Sequence, residues 1–181
     1  MNGNPGDGEQ KPSDPGTNPT PNPTRNNVSD QGLEFIAGHE GIRLNLYNDP
    51  AGHCTIGVGH LVHFGNCNQT ESSELEFLNG ISEEQAYEIL REDAQEAVNA
   101  VIQYISVPLN QAQFDALVSF TFNLGSGSLQ SSDLRQRLNN GEYDAVPEEL
   151  NRWIYSNGTI YPGLVRRRKE EGILFRDGIY T

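Results

Sequence analysis

The stretch His39-Glu40-Gly41-Ile42-Arg43-Leu44-Asn45-Leu46-Tyr47-Asn48-Asp49-Pro50-Ala51-Gly52-His53-Cys54-Thr55-Ile56-Gly57-Val58-Gly59-His60 decides the reading of this chain. Upstream of it, Leu33, Ile36, Ala37 and Glu40 fall at i, i+3, i+4 and i+7, so they share one helix face. Ser29 or Asp30 caps the start of that helix and Gly41 suits its end, which places Glu40 in the last turn on an otherwise apolar stripe. Phe35 lies off that face. Burial and the negative helix end both disfavour an anion at Glu40, the condition for a carboxylic acid that donates a proton; Arg43 or a distant arginine would oppose it. Leu44–Asn48 alternates as a short strand, and Asp49-Pro50-Ala51-Gly52 carries turn residues at the first, second and fourth positions. Thr55–His60 reads as the return strand, loosened by two glycines, so a small β-lobe is expected at about 42–64.

Each residue has an ordinary reading when taken alone. Glu40 can reach sideways to solvent, Asp before Pro is common in turns, and Thr55 is a plain strand residue. Together they place two carboxylates and a hydroxyl in different surroundings within sixteen residues, the minimal equipment for cleaving a glycosidic bond.

Working outward, the chain has 181 residues, enough for one domain with a core. Residues 1–30 are rich in Pro, Asn, Gly and Thr, with Met1 and Val28 as the large apolar side chains. Such a segment cannot bury enough surface to offset its ordering entropy, so it reads as a disordered linker or tail, with the folded domain over 31–181. A linker with nothing before it favours a domain excised from a larger or exported protein. Asp7, Glu9, Asp14 and Asp30 against Lys11 and Arg25 account for little of the net charge of −13, so the domain itself is acidic. That argues against nucleic acid and against electrostatic attachment to an anionic membrane. No apolar run is long enough to span a bilayer, and residues 1–30 hold no signal-peptide core.

The remainder is mostly helical. Ser82-Glu83-Glu84-Gln85 is a capping box opening a long helix through Ile105, which would join the two lobes. Asn110 caps a helix carrying Phe114, Leu117, Val118, Thr121 and Phe122, closed by Gly125. Shorter helices are expected over 132–139 and 144–153, a turn at Asn157-Gly158, and a last helix after Pro162.

Cys54 and Cys67 allow one pairing; two free thiols and a disulfide both remain open. His60 and His63, with His53 nearby, lack the helical spacing and ligand pairs of a zinc site, so no metal is expected. Arg166-Arg167-Arg168-Lys169 lies in an amphipathic helix with Glu170 and Glu171 and reads as a solvated face, from which one arginine could turn inward to a carboxylate. Asn123 and Trp153 could line a sugar cleft, or simply cap and pack.

The opening stretch, together with Gln113–Gly125, Pro162–Arg168 and the position of Trp153, resembles the phage-type lysozyme (endolysin, muramidase) family of glycoside hydrolases over about 32–181. The resemblance implies an α+β, two-lobed lysozyme-like fold, a small β-hairpin lobe and a mainly helical lobe joined by a long helix. It implies hydrolysis of the β-1,4 bond between N-acetylmuramic acid and N-acetylglucosamine, with Glu40 as general acid and Asp49 and Thr55 holding the water. His60, Asn123 and Trp153 would bind substrate. No cofactor is implied; the partner is bacterial peptidoglycan, met by a monomer acting outside the cytoplasm on the cell wall. A lytic transglycosylase of the same fold, or an inactive peptidoglycan-binding module, are the alternatives; keeping both Asp49 and Thr55 favours hydrolysis. Two features depart from the family pattern. The loop from Phe64 to Gly80 is longer than in the shortest members, and the domain is acidic where many lysozymes are basic.

Overall fold

The computed structural model describes residues 27–156 and 158–181. The expected tail over 1–30 therefore lies outside the described residues up to residue 26, as does Asn157 of the expected turn. Val28, counted with the tail from composition, is buried in the core.

Helix α1 (Asp30–Glu40) is opened by Ser29, whose hydroxyl accepts from the Gly32 N–H, and closed by Gly41. Three antiparallel strands follow in spatial order: β1 (Arg43–Asn48), β2 (Cys54–Gly57) and β3 (His60–His63). The expected single return strand over Thr55–His60 is thus corrected to two. Gly57 and Gly59 have φ of +65° and +79°, values that favour glycine, and they turn the chain back so that Ile56 pairs with His60. A 3₁₀ helix (Ser72–Phe77) then leads to α2 (Glu83–Asp93), which opens on the Ser82/Gln85 capping box and packs against β2 and β3.

The expected long helix is two, α2 and α3 (Gln95–Tyr104), joined at Ala94. The break is slight: Ala94 N–H still reaches Leu90 O, and Val98 N–H reaches Ala94 O, both at 2.9 Å. Helix α4 (Gln111–Leu124) is buried around almost its whole circumference, the mark of the central helix of the lobe, and its buried face carries Asp115 and Ser119 as well as apolar side chains. Fully buried Leu117 and Phe120 contribute roughly 2 kcal/mol each by removing apolar surface from water. Around α4 pack α1, α3, α5 (Ser126–Ser131) and α8 (Pro162–Asp177). Helices α6 (Asp133–Asn139) and α7 (Val146–Leu150) complete the helical lobe, and a two-stranded ribbon, β4 (Tyr155–Ser156) and β5 (Thr159–Ile160), precedes α8.

Candidate active site

Glu40 ends α1, as expected, but its surroundings are not an apolar wall. Its side chain keeps 31% of its surface exposed, and Oε1 lies 2.5 Å from Arg167 Nη1. Arg167 belongs to α8 and is 4% exposed. Its Nη2 donates to the Ser119 carbonyl at 3.2 Å and to the Ser119 hydroxyl at 3.3 Å, and its Nε donates to Glu171 Oε1 at 3.2 Å. The guanidinium is therefore aimed at Glu40 by two helices.

Arg168 and Glu171 sit behind it, both with no exposed surface. Arg168 Nε is 2.9 Å from Glu171 Oε2, Nη2 donates to Asn123 Oδ1 at 3.0 Å, and the group lies over the Phe120 ring at 5.1 Å. Burial pushes Arg168 down to about 10. Burial pushes the Glu171 carboxyl up, against the pull of both arginines and the Ser119 hydroxyl. The solvated face expected over Arg166–Lys169 is corrected for Arg167 and Arg168, and Arg167 is the arginine expected to turn inward, here to the Glu40 carboxylate. Arg166 and Lys169 are exposed, whereas Arg167 and Arg168 are interior, because four acceptors from α1, α4 and α8 surround them. His39, beside Glu40, packs edge-on against Phe35 and lies 3.3 Å from Glu170. Burial, then the Arg167 charge, lowers it to about 4.

Asp49 begins the turn between β1 and β2, closed by a 2.9 Å bond from Gly52 N–H to Asp49 O. Thr55 lies on β2, 3% exposed, opposite Tyr47. The backbone of one residue, His53, ties the two together. His53 O accepts from Asp49 N–H at 2.9 Å and from the Thr55 hydroxyl at 3.0 Å, while His53 N–H donates to Asp49 Oδ1 at 2.8 Å. Tyr47 was not singled out by sequence. Its phenol is pushed up first by burial, opposed by Arg43, with Asp49 and Glu40 adding to the rise. The Arg43 guanidinium lies 4.4 Å from that ring's centre. Its strand alternation was the only signal for Tyr47; for Arg167 the signal was the arginine run, one member of which was expected to turn inward to a carboxylate.

The three expected substrate-binding residues each have a protein partner. His60 Nδ1 is 3.0 Å from Asp93 Oδ2, bridging β3 to the end of α2. Asn123 accepts from Arg168. Trp153 packs edge-on against Phe120 at 5.5 Å and, with Ser131, Ser132, Asp133, Glu149 and Arg152, lines a polar cavity of about 300 Å³. Cys54 and Cys67 are joined as a disulfide with Cα atoms 4.7 Å apart. Cys54, His63 and Glu74 bring three ligand-type atoms together among the described residues. The sulfur is spent in the disulfide, and His63 and Glu74 bond each other, so this donor set does not suit a metal ion.

The Phage lysozyme family profile matches residues 37–171, a span that holds Glu40, Asp49, Thr55 and Arg167. The chain belongs to the phage lysozyme family. It is 40% identical over 154 residues to the endolysin of Bacillus phage B103, covering 84% of this chain and 55% of that protein. The chain thus spans about half the length of the Bacillus phage endolysins it matches. Among solved structures, the endolysin from Escherichia coli O157:H7 phage FAHEc1 superposes with a TM-score of 0.73 at 31% identity, covering 89% of this chain and 99% of that one. The muramidase domain of SpmX from Asticaccaulis excentricus superposes with a TM-score of 0.69 at 33% identity, covering 84% and 99%. The fold is lysozyme-like α+β.

Proposed function

We propose that this chain is a peptidoglycan hydrolase, a muramidase that cleaves the β-1,4 bond between N-acetylmuramic acid and N-acetylglucosamine. The observation that carries the reading is the His53 backbone, whose N–H and carbonyl fix Asp49 and Thr55 as one unit while Glu40 stands apart on a helix end. Glu40 protonates the leaving oxygen. Asp49 and the Thr55 hydroxyl orient and activate a water on the opposite face of the sugar, which gives inversion. Arg167 holds the Glu40 side chain in one direction between turnovers.

His60, Asn123 and Trp153 are the proposed substrate contacts around this centre. No metal or organic cofactor takes part. The catalytic unit is a monomer that starts at Val28, which is in the core, and at Ser29, which caps α1; the Pro-, Asn- and Gly-rich residues before them are a linker. No helix among the described residues is long and apolar enough to cross a membrane. The substrate being a wall polymer, the enzyme acts outside the cytoplasm.

Clearing of purified cell walls by the protein, lost in a folded Glu40→Gln variant, tests the assignment, because the amide cannot donate the proton. Lysis by the folded Gln variant at near-normal rate overturns it. A 1,6-anhydro product would move the reading to a lytic transglycosylase, and wall binding without turnover to a binding module.

A further inference from the structure

The loop that follows β3 is clamped at both ends, and its clamps meet the site. At one end, Cys67 is bonded to both members of the cross-strand pair Asn48↔Cys54: its N–H donates to Asn48 Oδ1 at 2.8 Å, and its sulfur is joined to Cys54. Gly65 adds two bonds, its carbonyl accepting from Cys54 N–H at 2.8 Å and its N–H donating to His53 Nδ1 at 3.2 Å. Asn48 directly precedes Asp49 and Cys54 directly precedes Thr55 in sequence, and His53 hydrogen-bonds to both Asp49 and Thr55. At the other end, the Glu74 side chain is fully buried and accepts from Asn68 N–H at 3.0 Å, Gln69 N–H at 2.5 Å and His63 Nε2 at 2.7 Å. Gln69 is held at φ +64°, a conformation that costs a non-glycine residue energy and persists only where its surroundings enforce it.

His63 completes this second clamp in a way only one protonation state allows. Its Nδ1 lies 3.0 Å from the Phe64 carbonyl and its Nε2 2.7 Å from the Glu74 carboxylate. Both partners only accept, so both ring nitrogens must carry a proton, which is the imidazolium. A neutral ring sets a lone pair against one of them.

We propose that His63 is a positioning residue and a pH-dependent latch: as the imidazolium it locks Glu74 onto the 64–69 loop, and through Cys67 and Gly65 that loop holds the Asp49 turn and Thr55 in place. The link to turnover rests on the assignment of Asp49 and Thr55 proposed above. The acceptors facing His63 favour its charge and outweigh the opposing effect of burial. The Phe64 carbonyl first, then Glu74 and more distantly Glu71, raise it above its ordinary value. Cys54, its partner across the sheet, is in the disulfide and does not titrate. His53 lies on the other side of the Phe64 ring, with centroids 5.1 Å apart. Burial pushes Glu74 up, but the two loop N–H groups and His63 outweigh it and hold the carboxyl below its usual range. The latch is therefore closed between the two values. It opens as pH rises through the raised value of His63.

The test is an NMR titration of the ¹⁵N-labelled chain from pH 5 to 9. His63 should titrate above 6.5, and the Asn68, Gln69, Cys67 and Thr55 amides should shift with the same midpoint. This readout needs no turnover, so it stands or falls apart from the catalytic assignment. A His63 midpoint at or below 6.5, or loop amides that do not follow it, overturns the latch. In hydrolysis of purified walls, the rate ratio of wild type to His63→Gln should be threefold or more at pH 6 and fall to one above the His63 midpoint. A ratio constant with pH marks a purely structural residue and overturns the positioning role. Should His63→Gln fail to fold, the wild-type titration alone decides.

Discussion

Arg167 Nη1 and Glu40 Oε1 lie 2.5 Å apart across 127 residues of sequence, so the helix that begins the fold and the helix that ends it meet at the proposed acid. Arg167 also serves Glu171 and Ser119. Its removal therefore leaves a fully buried carboxylate short of a partner. Arg167→Met should lower unfolding free energy by about 3–5 kcal/mol, the scale for breaking a buried pair from one side. Denaturant unfolding checks this; a loss under about 1 kcal/mol would mean Arg168 alone satisfies Glu171.

Asp49→Asn and Thr55→Ala should each lower wall hydrolysis by at least ~10²-fold, the usual scale for a positioned proton-transfer partner. The Thr55 hydroxyl also donates to His53 O, so its loss slackens the residue that orients Asp49. The double variant should accordingly be little worse than either single. If both singles stay active while Glu40→Gln is dead, the transglycosylase chemistry gains.

Much of this was legible because it is local. Ser82 and Gln85, Asn110, the Asp49–Gly52 turn and Pro162 act within a few residues of themselves, and each sits where its chemistry places it. Longer-range arrangements were not legible. Arg167 and Arg168 look like a solvated run until Glu40, Ser119, Asn123 and Glu171 converge on them from three helices. Gly57 and Gly59 read as weak strand positions, whereas the chain uses their positive φ to reverse direction and add a third strand. Glu74 carries no local sign that it is buried; its role depends on His63 and on the loop's own N–H groups.

Two histidines give the chain opposite pH responses. His60 is raised by its hydrogen bond to Asp93, so its contribution is fully present below 6.5 and is lost as pH rises through the higher folded value. The pair is partly exposed, so less than about 1 kcal/mol is at stake. His39 is lowered to about 4 by burial, so the unfolded chain takes up its proton first, and stability falls as pH drops from about 6.5 towards 4. Urea unfolding at pH 4, 5.5 and 7 should show that acid-side loss shrinking in His39→Gln. An unchanged slope would mean that other groups carry it.

Cys54 and Cys67 close a loop with a sequence separation of 13. By the loop-entropy model their bond contributes roughly 3 kcal/mol. Reduction should lower the denaturant midpoint correspondingly and loosen the Asp49 turn, since Cys67 also holds Asn48. Two free thiols by mass spectrometry, in protein matured under oxidising conditions, would reject the pairing.

The stereochemical outcome follows from how Asp49 and Thr55 are joined. A carboxylate that attacks the sugar directly needs an unobstructed line to the anomeric carbon and gains little from a hydroxyl beside it. One that activates water gains a second point of attachment for that water, and the His53 backbone keeps the pair in register. Inverting enzymes hold their carboxyl groups roughly 6.5–9.5 Å apart to leave room for the water, against about 5 Å in retaining ones. The first-formed product should therefore be the α-anomer, observed by NMR before mutarotation. A β-anomer would mean that Asp49 forms a covalent glycosyl intermediate, and the role given to Thr55 would fall with it.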